Sequence, residues 1–199
     1  MKTAFRTILA AALLLPQAAL AHTGAGAHGH GFTSGFLHPL GGLDHLLAMI
    51  AVGLFAAHLG GRALWLVPLA FVALMALGGA AGFAGVALPF VELAIALSVV
   101  VFGLLVAFRT RLPLAAAMTL VGIFAIFHGH AHGAELPAGQ SALTYAAGFL
   151  IATALLHAAG IAIGLGFARL AASGLGPRIV QAGGGAMALT GLMLLVRTF

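Results

Sequence analysis

An all-α bundle of six membrane-crossing helices is the fold that this sequence predicts, and three observations predict it. The 199 residues are 63% hydrophobic and only 6% charged, whereas a soluble domain carries about a quarter charged residues. Mean hydropathy is +1.20. Apolar runs recur at lengths that cross a hydrocarbon core about 30 Å thick, which takes about 20 helical residues at about 1.5 Å each.

In chain order, Lys2 and Arg6 precede an apolar run from Ile8 to Leu15, then Pro16 and the small-x-small ending Ala19-Leu20-Ala21. This is the layout of a cleavable signal peptide over residues 1–21, since the apolar run is short for a span. An uncleaved first helix is the alternative. Residues 22–35 read as a flexible His/Gly-rich periplasmic segment with His22, His28 and His30 and no apolar periodicity. The transmembrane domain then fills 36–199, with spans at 36–59, 63–84, 87–108, 112–132, 142–168 and 177–196. Gly78/Gly82 and Gly160/Gly164, each four residues apart, permit close helix packing.

Charge sets the orientation. With the mature N-terminus outside, Arg62, Arg109 with Arg111, and Arg169 with Arg178 all fall in cytoplasmic loops, as the positive-inside rule requires. Both termini are then periplasmic, in a multi-pass protein of the bacterial inner membrane. The sequence pI of about 11.6 does not imply nucleic acid, because the arginines stand singly or in pairs between apolar runs and no aromatics interleave them. Partners are therefore lipid and a small solute. Cysteine is absent, which excludes disulfides, thiolate metal sites and cysteine nucleophiles.

Ionisable side chains inside a bilayer are costly and mark ligand sites or pathways. The first such group is His38, Asp44 and His45 in His38-Pro39-Leu40-Gly41-Gly42-Leu43-Asp44-His45. On an ideal helix His38 and His45 share a face about two turns apart, with Asp44 rotated by about 100° from His45. Pro39 and the Gly41-Gly42 pair make this a site of irregular backbone. Asp44 serves either as a ligand or as the group that fixes a histidine tautomer.

The second group is Phe127-His128-Gly129-His130-Ala131-His132-Gly133-Ala134-Glu135. His128 and His132, at i and i+4, share one helical face and can share a cation. His130 is either a ligand or an exposed interfacial histidine. The first span enters from outside and the fourth returns there, so both groups lie in the outer half of the membrane. Glu92, early in the third span, falls at a similar depth as a further ligand or as a hydrogen-bonded acid. His157, about 22 Å along the fifth span, either receives an ion from the outer site or bonds a neighbouring helix. His58 reads as interfacial and Met49 as packing. Imidazole with carboxylate suits borderline divalent cations such as nickel, cobalt, zinc, copper or iron, and not magnesium or calcium. The His22, His28 and His30 segment reads as an ion collector or as a plain spacer.

With these residues in view, the sequence resembles the HupE/UreJ family of nickel permeases. The segment His38-Pro39-Leu40-Gly41-Gly42-Leu43-Asp44-His45, running on through Met49 to Gly53, is similar to the family's His-Pro-x-x-Gly-x-Asp-His signature. Phe127-His128-Gly129 through His132-Gly133 and Glu135 is similar to its second signature. The resemblance implies uptake of Ni2+, alternatively Co2+, without ATP and with no prosthetic group, to supply a hydrogenase or urease. It also implies functional roles for His38, Asp44, His45, His128 and Glu135, with Glu92 at the place of a third-span acid.

The reading is a metal-ion permease and not an enzyme. Alternatives are a membrane metal sensor or binding protein, or a His-liganded membrane metalloenzyme. No His-His pair and no Gly-x-Ser-x-Gly motif occurs, and only a transporter accumulates metal behind a membrane. A ligating imidazole must be neutral, so uptake of radiolabelled nickel is expected to fall as external pH drops below about 6, near the reference histidine pKa. A flat profile from about pH 7.5 to about 5 would count against imidazole ligands.

Overall fold

A computed structural model describes residues 31–170 and 174–198, and these are helical apart from short connections. Seven helices occur among them: α1 (Gly31–Gly41), α2 (Leu43–Leu59), α3 (Ala63–Phe83), α4 (Val91–Ala107), α5 (Leu114–Ala134), α6 (Ala142–Ala168) and α7 (Leu175–Arg197). The signal expected at 1–21 and the residues His22, His28 and His30 lie outside the described residues. Helices α3, α5, α6 and α7 are each long and apolar enough to cross a membrane. Helix α4 is apolar but has 17 residues.

The expected first span, 36–59, is not one helix. It breaks between α1 and α2 with a bend of 81°. Gly42 at the break is extended, with φ −95° and ψ 121°, and two successive glycines carry the poorest helix propensity short of proline. A Cβ on Gly42 would stand 2.8 Å from Asp44 Oδ1, so a larger residue there would push the carboxylate aside. Helix α1 also begins at Gly31, so Gly31–Gly35, grouped from sequence with the flexible segment, form its first turns.

Lipid-like surroundings remove the hydrophobic drive between helices, and association then depends on close backbone approach at small residues. Glycines occupy both sides of each major crossing. Helices α3 and α5 run parallel in the most extensive pairing, where a Cβ on Gly78 would meet the Ile126 carbonyl, and one on Gly82 the His130 carbonyl. From the other side, Gly129 lies on the Met75 carbonyl and Gly133 on the Gly79 carbonyl. Gly53 and Gly160 make the α2/α6 crossing, Gly35 and Gly148 the α1/α6 crossing, and Gly103 and Gly184 the antiparallel α4/α7 crossing.

Helix α2 is the centre of the bundle, packing on α1, α3, α4, α6 and α7. Its residues from Ala48 to Ala56 are buried apart from half-buried Ile50, and Met49 is core packing, as expected. The two glycine environments differ enough to test. Replacing Gly129 by Ala forces α5 off α3 and is expected to cost about 1–3 kcal/mol, the usual range for overpacking. At Gly185 a Cβ meets nothing within 4 Å, so Gly185→Ala is expected to be neutral or to stabilise by about 0.5–1 kcal/mol. Thermal unfolding of the two variants in detergent measures the contrast.

Candidate metal centre

The helix break and the end of α5 bring four imidazoles into one cluster. On an unbroken helix His38 and His45 would be separated by about 10 Å along the axis. The bend at Gly42 brings their ring centroids to 6.3 Å. On α5, Gly129 and Gly133 face α3 while His128 and His132, rotated from them by about 100° per residue, face inward. Ring centroids are then 4.7 Å apart for His45 and His128, 4.7 Å for His45 and His132, and 4.8 Å for His38 and His132. His128 and His132 are fully buried.

Hydrogen bonds to the outer nitrogens decide which inner nitrogens stay bare. Asp44 Oδ1 accepts from the His45 backbone N–H at 2.7 Å and from His45 Nδ1–H at 2.9 Å. A carboxylate only accepts, so His45 Nε2 keeps its lone pair, and it has no partner. Ser98 Oγ donates its single hydrogen to the Ile95 carbonyl at 2.6 Å. Its 2.9 Å contact with His128 Nε2 therefore has the imidazole as donor, leaving His128 Nδ1 bare and unpartnered. Both nitrogens of His132 lack partners, and its ring lies flat on Phe149, 4.8 Å away at 17°. His38 Nε2 faces Glu135 Oε2 at 3.0 Å.

The hydrogen bond from His38 holds the Glu135 carboxyl below its ordinary range, against the opposing effect of partial burial. Because this pKa is depressed, the pair stabilises the fold above the ordinary carboxylate pKa. That contribution is lost as pH falls through the lowered value. The chain has three acidic residues in all, and all three gather at this end. Asp44 and Glu135 bond the cluster, whereas Glu92 is exposed in the first turn of α4, within electrostatic reach of Asp44, His45 and Glu135. No hydrogen bond or ion pair joins Glu92 to the cluster.

The remaining histidines are elsewhere. His130, read from sequence as a ligand or an exposed interfacial group, is buried, at 8% exposure, and donates from Nε2 to the Val86 carbonyl at 2.7 Å, away from the cluster. The ring turns out because a step of two residues along a helix is a rotation of about 200°, which sets His130 opposite the face that His128 and His132 share. His58 sits at the opposite end of the bundle, with Nε2 2.7 Å from the Arg109 carbonyl. His157 is buried deeper, against Phe71. Ser98, Tyr145 and Phe149 were not read from the sequence as part of the site. Ser98 had a signal, as the one hydroxyl in the apolar α4. Among the described residues no three His, Asp or Glu side chains are already closed around one point that would hold an ion. The imidazoles converge and must rotate to share a ligand.

Residues 10–194 match the profile described as HupE / UreJ protein. The chain belongs to that family. Protein HupE of Rhizobium leguminosarum bv. viciae is 50% identical over 196 residues, which cover 98% of this chain and 100% of the relative. No solved structure matches. In this HupE/UreJ chain the bond from His128 to Ser98 is a contact that a single substitution removes without touching the cluster. For a cation held by the His128 imidazole, Ser98→Ala is expected to weaken cobalt binding by about 10- to 100-fold, the usual effect of losing a hydrogen bond behind a metal-binding imidazole. Ser98→Thr is expected to retain most of the affinity. Equilibrium cobalt binding to the purified full chain reads both.

Proposed function

We propose that the chain is a secondary transporter that takes up a divalent transition-metal ion, Ni2+ or alternatively Co2+, from the periplasm. The observation that carries this reading is the set of bare, buried nitrogens on His45, His128 and His132, from two helices, with His38 beside them. Buried polar atoms without partners are rare, and each calls for a reason. A cation that exchanges its water shell for these nitrogens supplies one. His38, Asp44, His45, His128, His132 and Glu135 form the site, with Glu92 at its rim.

Nitrogen donors with a few carboxylates favour borderline transition metals over calcium and magnesium. Three acids at this end, with the loop arginines at the other, draw cations to the site and disfavour anions. Donors that converge without closing on one point suit a carrier, which must release what it binds. The chain crosses the bacterial inner membrane six times, counting the bent α1–α2 pair and the short α4 as one crossing each, with the site facing the periplasm. A signal peptide precedes these crossings, and no prosthetic group takes part. The metal is passed on to a hydrogenase or urease.

Accumulation of radiolabelled nickel and cobalt in cells tests the reading. Asp44→Asn and His45→Ala are expected to lose accumulation at unchanged membrane levels. Binding without accumulation by the unaltered chain would make it a sensor or a binding protein.

A further inference from the structure

His157 is not explained by the outer cluster. It is 1% exposed, and neither ring nitrogen has a hydrogen-bond partner. A neutral imidazole buried in this way has lost its water and gained nothing in exchange. One turn from it on α6 stands a hydroxyl, itself paired with a soft sulfur of α3. Thr153, one turn earlier on α6, is fully buried, and its hydroxyl finds only the Met75 sulfur at 3.8 Å. The Phe71 ring lies against both His157, at 5.1 Å, and His128, at 5.7 Å. One aromatic ring thus touches the outer cluster and the deeper histidine. The backbone of His157 is held by the α2/α6 crossing, where its carbonyl packs on Gly53. Gly53 lies about 12 Å further along α2 than His45.

We propose that His157 is a second, inner binding station for the transported cation, with the Met75 thioether and the Thr153 hydroxyl as its neighbours. Imidazole nitrogen with thioether sulfur selects transition metals and gives no hold to magnesium or calcium. An ion leaving the outer imidazoles would otherwise face an apolar stretch of α2 and α6. The station offers one nitrogen, so the ion is held there more weakly than by four imidazoles and moves on. This inference rests on the permease reading.

The test uses the full chain in liposomes, with Co2+ as the probe. Equilibrium binding is measured alongside accumulation for the unaltered chain, His157→Leu and His157→Met. For His157→Leu, binding at the outer cluster is expected to stay within about twofold while maximal uptake falls by about tenfold or more. The same variant is expected to unfold at a higher temperature, because leucine leaves no unpaired polar atom in an apolar site. A histidine serving only structure would give the reverse, a lower unfolding temperature. His157→Met keeps a donor and is expected to recover part of the uptake, and it decides the matter if His157→Leu does not insert. Uptake by His157→Leu within about twofold of the unaltered chain would overturn the inner station and leave the permease reading standing. An unaltered chain that binds cobalt and accumulates none would overturn both.

Discussion

Imidazole nitrogens without hydrogen-bond partners, enclosed by apolar side chains, are the constraint around which this bundle is organised. Each one has been removed from water with no protein partner in return. In three of the rings one nitrogen is tied down. Asp44 holds His45, Ser98 holds His128 and Glu135 holds His38. These bonds orient the rings and choose their tautomers, so the inner nitrogens of His45 and His128 are left without a protein partner.

Glycine makes that enclosure possible. The α3/α5 contact runs through Gly78, Gly79 and Gly82 on one side and Gly129 and Gly133 on the other. The alternation of His and Gly in residues 128–133 therefore has a double use. Glycines lie on the face that touches α3, and His128 and His132 lie on the face turned to the cluster. At the other entrance, Gly42 supplies the extended residue that ends α1, turns the chain through 81° and leaves room for the Asp44 carboxylate. Backbone flexibility at this one residue brings together two histidines that a straight helix would keep apart.

Charge is divided between the ends of the bundle. The three acids stand at the histidine end, and the loop arginines stand where α2 meets α3 and α4 meets α5. His58 belongs to the arginine end through its contact with the Arg109 carbonyl. In a medium of low dielectric such a division acts over longer distances than in water. It leaves the histidine end with three acids against Arg197, an excess of negative charge.

Much of the candidate site was legible because its residues are out of place by composition. His38, Asp44, His45, His128, His132 and Glu135 interrupt apolar runs, and the i, i+4 spacing of His128 and His132 announces a shared face. The glycine pair Gly78/Gly82 was legible as packing for the same reason of spacing. The orientation of His130 toward Val86, the isolation of Glu92 and the part played by Ser98 were not legible, since each depends on which helix lies alongside. By itself the sequence determined the helical class, the membrane setting and which ionisable residues interrupt the apolar runs, because hydropathy and residue type are local properties. Only the tertiary structure decided that a bend at Gly42 and a glycine seam between α3 and α5 bring histidines from separate helices together with bare nitrogens. Backbone approach and ring tautomer are properties of pairs of segments distant in the chain, and no local pattern encodes them.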